Sequence, residues 1–312
     1  MRVATIDIGT NSVLLLIAER RGEELVPVLE RATITRLGRG VDATRELDAA
    51  AIEATLACLA GYAAEIARAG VDRVGAVGTS AMRDARGGED FRARAGALLG
   101  ETPRVICGRE EAELTFAGAL AGLAALPLGG PVVVFDLGGG STEIIRGHAG
   151  DGEIVERAVS LDVGAVRLTE RHLRSDPSPA EELEAVRRDA RAALAEAGEG
   201  WRSAAGAAPI VVGVAGTVTT LAAYTLGVVP YDAGRVHGAK LDAAVIAAAR
   251  AELARLPLKE RRAIPAIDPK RADVIVAGAL IVEEVLAWAG AGELVVSDRG
   301  VRWGLAKRLA AG

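Results

Sequence analysis

One pattern occurs twice in the chain, and it constrains the fold more than any other feature. VATIDIGTNSVLLLI (residues 3–17) aligns with VVVFDLGGGSTEIIR (residues 132–146). Within the turn, the same residue occurs at three pairs of positions, namely Asp7 with Asp136, Gly9 with Gly138 and Ser12 with Ser141. In each copy the turn Asp-x-Gly-x-x-Ser joins two apolar, β-rich runs, which is typical of a β-hairpin. A repeat separated by about half the chain indicates two related domains rather than a solenoid.

The turns of both hairpins contain glycine, which lets backbone N–H groups come close to phosphate oxygens. A single copy favours an ordinary tight turn, but two aligned copies favour a pair of phosphate-binding loops. The predicted donors are Gly9, Thr10, Asn11 and Ser12 in the first loop, and Gly138, Gly139, Gly140, Ser141 and Thr142 in the second. If both hairpins face one cleft, the loops converge there, each with an acid at its base.

A third glycine-rich turn follows the buried strand PIVVGV, and a helix is predicted to begin near Thr217. The free N–H groups at a helix N-terminus attract anions. Gly216 and Thr217 are therefore predicted to contact phosphate as well.

The remaining segments indicate a mixed α/β fold. Helices are predicted over residues 47–70, 109–127 and 270–290, and another begins with Ser178 as N-cap. Strands are predicted at DRVGAVGT, PRVICG and ELVVSD. The chain has 312 residues, and because single cores rarely exceed roughly 250–300 residues, two domains are expected. The break is predicted in LPLGGP, which gives domains 1–126, completed by a C-terminal helix 300–312, and 127–299.

The net charge and the few cysteines and histidines limit the classes of partner and metal that the chain can bind. The net charge of −5 argues against nonspecific nucleic-acid binding, so a polyanionic ligand needs a local arginine cluster. Two cysteines cannot make a disulfide framework or a zinc cluster. With three histidines, a metal site has to use carboxylates and water, which favours Mg²⁺ or Mn²⁺ over zinc.

The N-terminus MRVATIDIG lacks the apolar region of a signal peptide, so a cytoplasmic location is the default expectation. Two uncharged stretches, residues 114–135 and 203–231, exceed the roughly 20 residues that span a membrane. Glycine and proline interrupt both, so a membrane protein is only a minor alternative.

Nine blocks of the chain, in order, resemble the exopolyphosphatase and guanosine pentaphosphate phosphohydrolase family, within the actin/Hsp70/sugar-kinase superfamily. They are IDIGTNSVLLLIAE, ITRLGRGV, VGTSAMRDA, ICGREEAELTF, VFDLGGGSTEII, GVAGTVTTLAA, YDAGRVHG, RADVIVAGALIV and LVVSDRGVRWGL. The resemblance implies two actin-like (ribonuclease H-like) domains, with mixed sheets flanked by helices, around a central cleft. It also implies magnesium-dependent hydrolysis of a terminal phosphate, and it leaves a homodimer open.

The resemblance assigns Glu111 as the general base and Arg83 as an arginine that contacts substrate beside it. Residue types alone leave alternatives, since acids in a first helical turn match the helix dipole and Arg83 could pair with a nearby aspartate. Asp7, Asp136 and Glu143 are the expected magnesium-side acids, although a turn carboxylate can also accept backbone N–H groups. Basic residues at Arg36, Arg39, Lys270 and Arg271 could extend a track for phosphates.

Several functions remain open at this point. The first is release of orthophosphate from the ends of inorganic polyphosphate, and the second is removal of the 5′ γ-phosphate of guanosine pentaphosphate. A nucleotide-binding protein like actin or Hsp70, or a sugar kinase, is less consistent with REEAEL, which supplies a hydrolytic acid. No nucleic-acid or membrane partner is expected.

Overall fold

The computed structural model describes residues 1–22, 24–86, 88–123, 131–148, 154–198 and 209–311. Within this chain two compact units are found, Met1–Gly118 with Val301–Gly312, and Ala119–Gly300. We call them the first and the second unit. The boundaries expected from the sequence, 126/127 and 299/300, stay predictions. The segment proposed for the break lies outside the described residues except for Pro131.

The first unit contains one sheet. Its strands are β1 (Arg2–Ile8), β2 (Ser12–Arg21), β3 (Glu24–Ile34), β4 (Arg73–Gly78) and β5 (Arg104–Val105). Over the described residues, the order across the sheet is β3-β2-β1-β4-β5. The first three strands form an antiparallel meander, and β4 and β5 continue it in parallel. The hairpin predicted at the first copy of the repeat is thus β1–β2.

Helices cover both faces of this sheet. They are α1 (Val41–Thr44), α2 (Ala49–Ala69), α3 (Ser80–Asp84), α4 (Gly88–Leu99), α5 (Gly108–Ala119) and α13 (Val301–Ala311). Ala4, Ile6 and Ile8 of β1 belong to the cluster that includes α2 and α4, whereas Val3 packs with Trp303 of α13. Because side chains alternate between the faces of a strand, a strand covered on both sides is apolar almost throughout.

One helix of the first unit has the length and composition of a membrane-spanning segment. Among the described helices, α2 alone is long and apolar enough to cross a bilayer, and 33% of its most apolar window is buried inside the protein. A helix packed in a protein core can have the same length and apolar composition, so these two features do not make α2 a membrane span. Neither stretch singled out from the sequence is one continuous helix in its described residues. In the first, α5 ends at Ala119 and a strand begins at Pro131, and in the second a strand, Ile210–Val214, precedes a helix, Ala215–Leu226.

The second unit is built around a larger sheet. Its strands are β6 (Pro131–Leu137), β7 (Thr142–His148), β8 (Ile154–Leu161), β9 (Ile210–Val214), β10 (Lys240–Asp242) and β11 (Glu293–Val296). In the part that the structure describes, the order is β10-β11-β9-β6-β7-β8. Its helices are α6 (Ala165–His172), α7 (Ala180–Glu196), α8 (Ala215–Leu226), α9 (Ala233–Val236), α10 (Ala243–Arg255), α11 (Leu258–Arg261) and α12 (Ile275–Ala289). Helix α12 is buried nearly all round, as its apolar sequence requires.

The internal repeat extends beyond the hairpins. In the first unit the neighbours are β3-β2-β1-β4, and in the second they are β8-β7-β6-β9. In both, an antiparallel meander of three strands is continued by a parallel strand on the far side of the first. The duplication predicted from residues 3–17 and 132–146 is therefore a duplication of sheet topology.

Candidate active site

The first glycine loop, Gly9–Ser12, joins β1 to β2. The amide of Gly9 donates to the carbonyl of Ser12 at 3.0 Å, which closes the turn. Segment 35–38 then covers one side of the loop. Thr35 and Arg36 donate to the Asn11 carbonyl at 3.1 and 3.0 Å, and Gly38 donates to the Thr10 carbonyl at 2.8 Å.

These bonds decide which way the loop amides face. In a trans peptide the C=O and the following N–H point in opposite directions. Since the carbonyls of Thr10 and Asn11 face segment 35–38, the N–H groups of Asn11 and Ser12 face away from it. Gly38 has to be glycine for this approach, because a Cβ there would lie 2.3 Å from Cγ2 of Thr10.

The Thr10 hydroxyl was predicted to donate to phosphate. In the structure Thr10 is buried, and its Oγ1 lies 2.7 Å from Oγ of Ser80. Thr79 also donates its N–H to the Ile8 carbonyl at 3.2 Å. The Thr10 side chain therefore anchors the loop to the start of α3.

The second glycine loop, Gly138–Ser141, repeats the first. The amide of Gly138 donates to the Ser141 carbonyl at 3.0 Å, the same bond at the same distance as in the first loop. The Thr142 hydroxyl, which was also predicted to donate to phosphate, donates to the Val163 carbonyl at 2.6 Å. Like Thr10, Thr142 ties its loop to a neighbouring segment of the same unit.

Two of the predicted magnesium-side acids lie together. Asp136 and Glu143 are directly opposite each other in the antiparallel β6–β7 register, which places both carboxylates on one face of the sheet. Ser160, opposite Glu143 on β8, donates its hydroxyl to Oε1 of Glu143 at 2.7 Å. Two adjacent carboxylates repel each other, and a hard cation with oxygen ligands relieves that repulsion. The donor set therefore fits Mg²⁺ or Mn²⁺.

The third acid, Asp7, takes the equivalent place on β1 in the other unit, where it pairs with Leu14 of β2 and Val77 of β4. Among the described residues, no three His, Cys, Asp or Glu side chains are grouped as a ready-made metal site. Mg²⁺ commonly binds through one or two carboxylates and completes its coordination with water and substrate oxygens.

In the first unit the buried Glu111 pairs with the partly buried Arg83. Nη1 of Arg83 donates to Oε2 of Glu111 at 2.7 Å and to the Ile106 carbonyl at 3.0 Å. The Glu111 side chain is only 7% exposed. Arg83 lies on α3, the helix whose first residue, Ser80, contacts the first loop. Arg83 thus pairs directly with Glu111, the residue that the resemblance assigns as the base.

Glu110, one residue earlier, has a different environment. It accepts from Arg104 at 2.9 Å and from Arg308 at 3.2 Å. The hydrogen bond from Arg104 holds the pKa of the Glu110 carboxyl below its ordinary value. Glu110 is therefore engaged in ion pairs at the surface of α5, which leaves Glu111 as the acid of this pair that is buried against α3.

The third turn brings an arginine against a glycine. Helix α8 begins at Ala215, two residues earlier than expected, and Ala215 has a positive φ of 76°. A Cβ on Gly216 would lie 1.3 Å from Nη1 of Arg271, so the guanidinium lies directly on this glycine. The neighbouring Thr217 is buried and packs against Gly278 of α12.

Arg271 carries its charge in a partly buried setting. Burial lowers the pKa of its guanidinium, against the attraction of Asp268 and Tyr231. Within the described chain, no residue forms an ion pair or a side-chain hydrogen bond with it. A cation that lies at a helix N-terminus and is not engaged in an ion pair is suited to receive an anion. Lys270 and Arg271 were predicted at a helix start, but α12 begins later, at Ile275, and Arg271 lies in the preceding turn.

The chain is similar to known proteins along nearly its whole length. The profile of the Ppx/GppA phosphatase family matches residues 16–311. Exopolyphosphatase 2 of Mycobacterium tuberculosis is 41% identical over 99% of this chain and 98% of its own length. A crystal structure of an exopolyphosphatase-like protein superposes with a TM-score of 0.92 at 34% identity, covering 99% of this chain and 97% of the other.

A Ppx/GppA family member from Aquifex aeolicus superposes with a TM-score of 0.82 at 35% identity, covering 100% of this chain and 98% of the other. The chain therefore belongs to the Ppx/GppA phosphatase family. Both the resemblance found in the nine sequence blocks and the fold of two actin-like domains, with mixed sheets flanked by helices, are confirmed.

Proposed function

We propose that the protein is an exopolyphosphatase that releases orthophosphate from the end of inorganic polyphosphate. One observation carries the proposal: a buried carboxylate, Glu111, is held by Arg83 on the helix that also anchors the first glycine loop. The likeness to Exopolyphosphatase 2 of Mycobacterium tuberculosis over nearly the whole chain supports the substrate class.

In the proposed reaction, Glu111 orients a water molecule and accepts its proton as the oxygen attacks the terminal phosphorus. The bond between that phosphorus and the bridging oxygen breaks, and the shortened chain leaves with the bridging oxygen. Arg83 fixes the Glu111 carboxylate, and the charge of its guanidinium can stabilise the phosphoryl oxygens. The two loops supply backbone N–H donors to phosphate.

We further propose that Asp136 and Glu143 hold Mg²⁺ in the second unit, and that Asp7 is a magnesium-side acid of the first unit. The cation supplies charge neutralisation on phosphate oxygens when it is bound. The pairing of Asp136 with Glu143 across β6 and β7 supports this assignment, and so does the hydroxyl of Ser160, which fixes one Glu143 oxygen.

Phosphate release from a panel of substrates tests the proposal. The purified full chain is compared on long polyphosphate, tripolyphosphate, guanosine pentaphosphate and ATP, each with Mg²⁺, with Mn²⁺ and with EDTA. We expect the highest kcat/KM on polyphosphate and no turnover in EDTA. A higher kcat/KM on guanosine pentaphosphate would replace the proposed substrate by its alternative, and turnover of ATP alone would contradict both.

A further inference from the structure

Behind the second glycine loop lies an arginine that the reaction described above does not use. Arg167, in the first turn of α6, is 5% exposed. Its Nε donates to the Gly140 carbonyl at 2.6 Å, a hydrogen bond between buried groups. Resting on the proposed function, we propose that Arg167 is a positioning residue for the second phosphate-binding loop.

The backbone of α6 already holds the rest of this loop. Ala165 donates to the Gly138 carbonyl at 3.0 Å, and Val166 and Arg167 donate to the Gly139 carbonyl at 2.9 and 3.0 Å. The Arg167 side chain then takes the third carbonyl, that of Gly140. Three consecutive loop carbonyls are thus directed at the N-terminus of one helix.

The opposite edge of the loop follows from peptide geometry. Since each trans peptide directs its N–H away from its C=O, the N–H groups of Gly139, Gly140 and Ser141 point away from α6. None of these three amides has a hydrogen-bond acceptor among the residues that the structure describes. Successive amides on one side of a turn form a concave anion site. Arg167 sets the direction of the Ser141 N–H, because its hydrogen bond to the Gly140 carbonyl fixes the peptide between Gly140 and Ser141.

The guanidinium contributes charge as well as geometry. A hydrogen bond from a cation to the Gly140 carbonyl polarises that peptide and strengthens the Ser141 N–H as a donor. Asp162, the carboxylate 3.7 Å from Nη2 of Arg167, is 85% exposed, so water screens it. The buried positive charge therefore lies on the far side of the loop from a bound polyanion and favours binding.

Arginine is suited to this place because two of its nitrogens act at once. Nε reaches the Gly140 carbonyl while Nη2 faces Asp162. A lysine retains the charge but has one nitrogen, so it cannot reproduce the fork. Gly164 allows the start of α6 to approach the loop, because a Cβ at that position would lie 2.4 Å from the Gly139 carbonyl oxygen. The loop and the start of α6 are packed too closely for a side chain between them.

The test compares Arg167→Met and Arg167→Lys with a matched control, Arg171→Met. Arg171 lies on the same helix, but it is exposed and pairs with Asp189. KM and kcat are measured with tripolyphosphate and Mg²⁺, and Kd for tripolyphosphate is measured by calorimetry in the Glu111→Gln background. Losing a charge-assisted hydrogen bond is expected to raise KM and Kd about tenfold in Arg167→Met, with kcat within about threefold. Arg171→Met should have the KM, kcat and Kd of the parent protein.

Arg167→Lys should lie between the two, with KM raised about threefold, because it keeps the charge and loses the fork. Equal KM and Kd for Arg167→Met and Arg171→Met would overturn the inference. If Arg167→Met does not fold, Arg167→Lys decides, and parental KM and Kd in that variant would overturn it. Absence of phosphate release by the parent protein contradicts the proposed function instead, and the Kd comparison still decides the role of Arg167.

Discussion

Two adjacent glutamates at the start of α5 show how one residue of separation changes the chemistry. Glu110 lies among the guanidinium groups of Arg104 and Arg308 at the surface. Glu111 faces inward, where Arg83 and a buried position hold one orientation of its carboxylate. On a helix, neighbouring residues project in directions about 100° apart, so adjacent acids need not share an environment. Both carboxylates are held by arginine, but only Glu111 of the two is buried, and it is the one proposed as the base.

Replacing Glu111 by Gln should therefore remove catalysis and leave binding. The amide keeps the shape of the side chain but cannot accept the proton of water, so kcat is expected to fall by about 10²–10⁴. Phosphate release measures kcat, and calorimetry with tripolyphosphate measures Kd, which should stay within about threefold of the parent value. Glu110→Gln is the control and should retain kcat. Parental turnover in Glu111→Gln would contradict its assignment as base.

Glu110 should instead affect stability, in a pH-dependent manner. Its pKa is lowered from the ordinary 4.5 in the folded protein, chiefly by the hydrogen bond from Arg104. A lowered folded pKa stabilises the protein above the unfolded pKa, and this contribution is lost as the pH falls through the folded pKa. Glu110→Gln should lower the free energy of unfolding at pH 7 by up to about 1 kcal/mol.

Near pH 3 the difference between Glu110→Gln and the parent protein should vanish. Urea unfolding at both pH values, followed by circular dichroism, measures it. Glu89→Gln is a suitable control because Glu89 also lies in the first turn of a helix, α4. A difference that persists unchanged at low pH would contradict the ion-pair explanation.

At the scale of elements, each glycine loop is held from behind by a neighbouring segment. Residues 35–38 hold the first loop, and residues 163–167 hold the second. In both cases the segment takes up loop carbonyls, and the amides are left on the other side. The two braces come from unrelated elements, an irregular loop in one unit and a helix N-terminus in the other. The duplicated sheet topology therefore does not extend to the segments that support the two loops.

Gly164→Ala tests the brace of the second loop. The backbone of Gly164 is extended (φ −154°), so alanine is compatible with its conformation. The new Cβ would meet the Gly139 carbonyl oxygen at 2.4 Å, and the loop has to move. We expect a loss of kcat/KM of at least about tenfold and destabilisation of about 1–3 kcal/mol, as for overpacking elsewhere.

The matched control is Gly61→Ala in α2, where an added Cβ meets nothing within 4 Å. It should leave kcat/KM unchanged and stabilise the protein by up to about 1 kcal/mol, because alanine favours helix over glycine. Phosphate-release kinetics and urea unfolding measure both variants. Parental kinetics in Gly164→Ala would show that the spacing between α6 and the loop is unimportant.

The elements differ in how far the sequence predicts them. The hairpins, α2 with its C-cap at Gly70, and β4 follow from apolar periodicity and are confirmed. The N-cap predicted at Ser178 was wrong, because its hydroxyl donates to the Ser175 carbonyl and Pro179 takes the cap position. The pairs Thr10–Ser80, Gly140–Arg167 and Gly216–Arg271 join residues 27 or more positions apart in the chain. No local pattern indicates such contacts, so Ser80 and Arg167 could not be found from the sequence.

At the scale of the whole molecule, the last helix completes the core formed by the first strands. Trp303 of α13 is 1% exposed and packs with Val3, Leu16 and Ala18 of β1 and β2. Gly304 of the same helix allows close contact with α5, because a Cβ there would lie 2.0 Å from the Leu114 carbonyl oxygen. These contacts place α13 against β1, β2 and α5 of the first unit.

Trp303→Ala should strongly destabilise the first unit. Removing a buried indole leaves a cavity, and such changes usually lower the free energy of unfolding by about 3–5 kcal/mol. Urea unfolding followed by circular dichroism measures the change in free energy. Leu98→Ala, at a position that is 39% exposed, is the control and should cost less than about 1 kcal/mol. Equal stability of the two variants would contradict the packing role of α13.

The arrangement of α13 also orders events during synthesis. Domains generally fold as units while the chain leaves the ribosome. Here Val3 and Leu16 are translated early, yet Trp303, against which they pack, is translated after every residue of the second unit. The first unit begins to emerge before the second but completes its core last. Until then, its strands expose an apolar surface that a nascent-chain chaperone can cover.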